Sequence, residues 1–69
     1  MRLPTRNQLP ATVESVQAGE AMAVVKVTLD TGQSMTAAIT RDAADELGLE
    51  PGTKVTALVK STGVLLAVD

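Results

Sequence analysis

Cysteine is absent from this chain, and so is histidine. The first absence excludes disulfides and thiolate chemistry. With no imidazole, a zinc site would rest on carboxylates alone, and no histidine-activated nucleophile can be assembled. Phe, Tyr and Trp are missing as well. That removes the stacking platform on which proteins hold single-stranded nucleic acid. Basic residues do not predominate. The net charge is −2, with a pI near 4.9, which argues against a broad nucleic-acid or membrane-surface binding face. No apolar run approaches the ~18 residues of a membrane span. No charged-then-apolar signal opens the chain, so the expected compartment is the cytoplasm.

What is present is a short, strongly apolar chain. It has 69 residues, of which 45% are hydrophobic. The expectation is one domain, residues 1–69. A domain of this size buries only about 60% of the surface its unfolded chain exposes. Small scaffolds offset that deficit with disulfides, metals or oligomerisation. The first is impossible here and the second improbable, so self-association is expected.

The apolar residues alternate over most of the chain, which is the strand period. Residues 1–7 are a polar, extended lead containing Pro4. Over residues 9–17 the phase set by Leu9, Ala11 and Val13 slips before Val16, as a β-bulge near Glu14 and Ser15 would make it do. Residues 21–29 read as the clearest strand, with Ala23, Val25, Val27 and Leu29 on one face. Asp30-Thr31-Gly32-Gln33 is turn chemistry, and Met35, Ala37 and Ile39 continue the alternation. Two strands joined by so short a turn form an antiparallel hairpin.

Residues 40–49 change period. Ala43, Ala44 and Leu47 stand at helical spacing, with Thr40 or Asp42 available to cap the start. Gly48 suits a left-handed cap, and Pro51 prevents continuation. Alternation resumes over 53–60, breaks at Ser61-Thr62-Gly63, and returns with Val64, Leu66 and Val68. The order is three strands, a short helix and two strands. The expected fold is therefore all-β: a five-stranded OB-fold-like barrel with one helix between strands 3 and 4. Met22, Val24, Leu58 and Leu65 fall on the outer face. They are either scattered surface hydrophobes or part of an oligomer face.

Chemistry has few places to reside. Asp42, Asp45 and Glu46 read as a solvated helix start suited to the helix dipole, so no enzyme is expected. Two polar segments remain: Thr5-Arg6-Asn7 and Lys60-Ser61-Thr62-Gly63. Each combines a cation, hydroxyl or amide groups and irregular backbone, the ingredients of an anion-binding concavity. Spacing alone favours an ordinary N-terminal arm and a β-turn over an anion site.

These same residues carry a resemblance. Arg6-Asn7-Gln8-Leu9 before a Thr-Val strand is similar to the Ser-Ala-Arg-Asn-Gln-Leu opening of the molbindin (Mop) family. Glu46-Leu47-Gly48-Leu49, followed by Gly52, resembles the family's central helix and turn. Ala57-Leu58-Val59-Lys60-Ser61-Thr62 resembles its Ala-Leu-Ile-Lys-Ala-Ser segment, and Leu66-Ala67-Val68-Asp69 its close. The pieces span nearly the whole chain in family order. The module is also called the TOBE or Mop-type domain.

The resemblance implies an intracellular protein for molybdenum storage or homeostasis, binding molybdate or tungstate as an oxyanion. It implies a homo-oligomer, a hexamer built as a trimer of dimers, with the anion held between subunits and no metal ion directly coordinated. Carried over by position, Thr5, Arg6 and Asn7 of one subunit would meet Lys60, Ser61 and Thr62 of a neighbour. Pro4 stands where the family usually has Ser, Gly63 replaces a further Ser, and Met22 takes the place of an Asn. Those departures define two alternatives: an oligomeric structural or interaction module without tight oxyanion binding, and a site for another anion such as sulfate or phosphate.

Overall fold

A computed structural model of the protein describes residues 7–69. Its first element, β1 (Asn7–Ala18), is the longest strand and organises the rest. Its second half pairs antiparallel with β2 (Met22–Leu29), and its first half with β4 (Lys54–Val59). β3 (Ser34–Thr40) pairs with the other side of β2, giving the sheet order β3-β2-β1-β4.

β1 serves two neighbours because it bends. The β1–β2 register shifts between Val13 and Ser15, where the apolar phase slips in the sequence. Glu14, the extra residue, accepts a hydrogen bond from Thr28 Oγ1 at 3.3 Å. A bulge strengthens local twist. Here the sheet curls until Met35 of β3 and Val59 of β4 line one groove.

The two short turns follow their glycines. Gly32 has φ 101° and closes the β2–β3 hairpin by donating to the Leu29 carbonyl at 2.7 Å. Gly52 has φ 95° and donates to the Val13 carbonyl at 2.9 Å, tying the approach to β4 onto the bulge.

The helix α1 (Arg41–Leu47) lies between β3 and β4. Thr40 is the cap: its Oγ1 accepts from the Ala43 N–H at 3.1 Å. Gly48 ends the helix in the left-handed region at φ 64°. Two sequence expectations need correction. Only Asp42 lies in the first turn; Asp45 instead pairs with Arg41, Nε to Oδ2, at 3.4 Å. Leu47 does not join Ala44 in packing but is 67% exposed, because the helix ends before another turn can carry it onto the sheet. Leu49, beyond the cap, packs against the core in its place.

The core is thin. Among the described residues six are buried, all alanine or valine: Ala11, Val13, Ala23, Val25, Val27 and Ala44. Among the described residues, every leucine, isoleucine and methionine remains partly or largely exposed. The large apolar side chains, which would each contribute about 1.5–3 kcal/mol on full burial, are underused within one chain.

The fold is thus mostly β with one short helix, and the sheet has four strands. The fifth strand expected over residues 64–68 is not paired. Ser61–Gly63 forms a single 3₁₀ turn, Val64 after it is extended, and residues 64–69 are exposed with no regular secondary structure. Periodicity identified residues suited to a sheet, but no strand edge of the same chain takes them up.

Candidate functional site

The β1–β4 ladder places Asn7 relative to the segment Lys60-Ser61-Thr62. Asn7 stands opposite Val59, Gln8 opposite Leu58, and Leu9 opposite Ala57. The start of β1 and the end of β4 therefore lie at the same end of the sheet. Lys60, Ser61 and Thr62 follow Val59 directly, so they emerge beside Asn7. Thr5 and Arg6, also named from the sequence, lie outside the described residues.

The turn after β4 has donors to spare. Lys60 precedes it in an extended conformation, φ −64° and ψ 139°. The Gly63 N–H donates to the Lys60 carbonyl at 2.8 Å, and the Val64 N–H to the Ser61 carbonyl at 3.3 Å. The N–H groups of Ser61 and Thr62 take no part in these two bonds, as expected at the start of any helical turn. Both residues are exposed, as is Lys60, which makes no ion pair among the described residues. Lys54, further back on β4, is instead engaged with Thr12 Oγ1 at 3.1 Å.

Beside this polar end lies a cavity of about 430 Å³ lined by Asn7, Leu9, Met35, Val59, Ser61 and Val64. Four of the six lining residues are apolar. Asn7 and Ser61 mark its polar rim, and the interior is suited to side-chain carbon. Sequence reasoning did not connect Leu9 and Met35 to this place. Each reads as a core position on its own strand, and only the curl of the sheet brings β3 to the end of β4.

Among the described residues, this end of the chain presents a cation, hydroxyls and backbone donors on an exposed rim. Enclosure is what makes such donors selective, since an ill-fitting anion then leaves them unpaired. Asp42, Asp45 and Glu46 sit on α1 with the Arg41–Asp45 pair, and Arg41 Nη1 also donates to the Gly19 carbonyl at 3.0 Å. The described residues contain no group of three or more His, Cys, Asp or Glu side chains placed to hold a metal ion, and no helix long and apolar enough to cross a membrane.

A small curled antiparallel sheet with a cation- and hydroxyl-bearing turn at one end defines a compact ligand-binding module. The TOBE domain family matches residues 4–66, and the chain belongs to that family, in its Mop branch. The chain is 46% identical over 67 residues to the molybdenum-pterin-binding protein MopA of Rhodobacter capsulatus; the match takes in 97% of this chain and 25% of MopA. The chain thus spans about a quarter of the length of the first curated relatives it matches. A molybdate-binding protein from Sporomusa ovata superposes with a TM-score of 0.92 at 41% identity, covering 99% of this chain and all of that one. The cytoplasmic molybdate-binding protein ModG, in a form with molybdate bound, superposes at 0.94 with 38% identity, over all of this chain and 49% of ModG.

Proposed function

We propose that this chain binds molybdate or tungstate as an intact oxyanion, in the cytoplasm, for storage or homeostasis of molybdenum rather than for catalysis. The anion sits between subunits of a homo-oligomer, a hexamer arranged as a trimer of dimers. Thr5, Arg6 and Asn7 of one subunit face Lys60, Ser61 and Thr62 of a neighbour. The assembled domain is a five-stranded OB-like barrel in which residues 64–68 supply the last strand.

The observation that supports this reading is the pairing of Asn7 with Val59, which puts Asn7 at the end of the β1–β4 ladder where Lys60, Ser61 and Thr62 follow. A neighbour packed at that end meets both segments at once. Molybdate is a tetrahedral dianion that accepts hydrogen bonds at every corner. Lys60 and Arg6 supply charge-assisted bonds. Ser61, Thr62, Thr5 and Asn7 supply neutral donors and set the width of the cavity. Selectivity over the smaller sulfate follows from that width, because an undersized anion leaves donors unsatisfied in a water-poor seam. The similarity to molybdate-binding proteins, over the whole of one and about half of the other, supports the choice of anion.

The second reading is an oligomeric module of the same fold that holds no anion tightly. It is favoured by Met22, half exposed at the start of β2 in the position where the resemblance calls for an amide. Native mass spectrometry in a buffer free of sulfate and phosphate separates the two. A hexamer that gains a discrete number of molybdates supports storage. A hexamer that gains none supports the second reading.

A further inference from the structure

Lys60 is a primary amine beside a place built for an oxyanion, and one class of reactive metabolite joins an oxyanion to an acyl group. We propose that Lys60 is an acylation site addressed by the anion site itself: an acyl phosphate docks through its phosphoryl group when molybdate is absent and transfers its acyl group to Lys60 Nζ. This inference rests on the anion reading and adds a regulation to it. A filled site is protected, and an empty one is closed by loss of its cation.

The three lysines of the chain differ in their surroundings. Lys26, Lys54 and Lys60 are all exposed. Lys54 Nζ is engaged with Thr12 Oγ1 at 3.1 Å. Lys26 and Lys60 make no ion pair among the described residues, so exposure and pairing give these two the same ordinary reactivity. Charge separates them. Lys26 stands opposite Ser15, next to the bulge, and the Glu14 carboxylate there accepts a hydrogen bond at 3.3 Å from Thr28, the next residue along the same face of β2. An approaching anion meets that carboxylate. Around Lys60 the chain is free of acids. None of its eight acidic residues falls in β4, in the β1 residues 7–12 that pair with it, or in residues 60–68. A cation in such a neighbourhood attracts anions locally even on a chain of net charge −2.

The chemistry follows from that placement. The phosphoryl oxygens of the acyl phosphate take the hydroxyls of Ser61 and Thr62, as molybdate does in the anion reading. The activated carbonyl is joined to the same phosphoryl group through one oxygen, so docking holds it beside the flexible Lys60 stem. The Lys60 ammonium first loses a proton to water. Its Nζ then attacks the carbonyl carbon: a C–N bond forms, the C–O bond to the phosphoryl group breaks, and inorganic phosphate leaves with the electron pair. Nothing is oxidised or reduced. The product is an amide without positive charge and with one N–H. Preference for molybdate does not exclude the guest. Fit sets a ratio of affinities, and without molybdate a looser oxyanion occupies the same donors.

The test incubates the full chain with acetyl phosphate in buffer free of sulfate and added phosphate, and follows acetylation of each lysine by peptide mass spectrometry. Lys60 should react about tenfold faster than Lys26, the gain in occupancy that one charge-assisted hydrogen bond gives. Saturating molybdate should remove that lead. A neutral donor, the N-hydroxysuccinimide ester of acetic acid, should show no lead at all. The chain acetylated at Lys60 should bind molybdate at least about tenfold more weakly than the unmodified chain. Equal rates at Lys26 and Lys60 overturn the proposal, as does a lead that molybdate leaves in place, the same lead with the neutral donor, or undiminished affinity after acetylation. Titration of the unmodified chain with molybdate tells the two failures apart. If molybdate binds and Lys60 has no lead, the acylation proposal alone falls. If molybdate does not bind, the anion reading falls and this inference falls with it.

Discussion

Removing the Lys60 ammonium isolates the anion site from the fold. The side chain is exposed, makes no ion pair among the described residues, and does not cap the turn that follows it. Lys60→Ala is therefore expected to change stability by no more than about 0.5 kcal/mol, which in a domain of this size is a melting shift within roughly 4 °C. Its effect on binding is larger. A hydrogen bond to a charged group contributes about 1.5–3 kcal/mol, and each 1.4 kcal/mol is tenfold in affinity. Molybdate affinity should fall about 10- to 150-fold. Isothermal titration in buffer free of sulfate and phosphate measures it, with thermal unfolding of the same samples as the control for folding. Lys60→Arg, which keeps the charge, should lose less than Lys60→Ala. An unchanged dissociation constant for Lys60→Ala, with the fold intact, would refute the placement of Lys60 at the anion.

Val25→Ala removes two methylene equivalents from the centre of the core, where Val25 is 3% exposed. With the cavity it leaves, the loss should be about 2–3 kcal/mol, read as a lower urea midpoint at unchanged slope. Thr40→Ala deletes the acceptor for the Ala43 N–H. It should cost about 1 kcal/mol without altering molybdate affinity, as checked by melting and titration side by side. Leu58→Asp puts a carboxylate on the half-exposed outer face of β4. It should lower the oligomer mass in light scattering while the far-ultraviolet circular dichroism keeps its β signature. Molybdate at a hundred times its dissociation constant should stabilise the assembly by about 2.7 kcal/mol, seen as a rise in melting temperature that Lys60→Ala cuts to the equivalent of about 0.3–1.4 kcal/mol at the same molybdate concentration.

Local signals in the sequence carried much of the fold. The slip of phase after Val13 marked the bulge because a strand's side chains alternate strictly, and one extra residue inverts them. Thr40 and Gly48 marked the ends of the helix because a hydroxyl cap and a left-handed residue are needed there whatever surrounds them. Leu47 misled for the converse reason. Helical spacing assigns a face, but a seven-residue helix ends before that face meets the sheet. The segment 64–68 misled for a deeper one. Alternation in Val64, Leu66 and Val68 reports a demand for a sheet, and is silent on which chain supplies it. Of the six residues named for the site, the ladder brings Asn7 beside the turn of Lys60, Ser61 and Thr62. The pairing of distant strands that does so has no local mark in the sequence.

The composition that looks like a handicap also favours a site shared between chains. Without aromatics, cysteine or histidine, one copy builds a core of only alanine and valine and leaves its leucines and methionines facing outward. In the proposed oligomer those side chains are buried against another copy, and the surfaces that meet include the end of the sheet where Asn7 and the 60–62 turn emerge. Donors that water would satisfy on a lone chain are drawn into a seam where water is scarce. There they favour an occupant that carries negative charge and several acceptor oxygens. A monomer with a larger core of its own would be stable without such a seam. In the proposed assembly the deficit in burial and the capacity to hold an oxyanion are answered by the same seam, so strengthening the isolated monomer would weaken the selection for the contact that completes the proposed site.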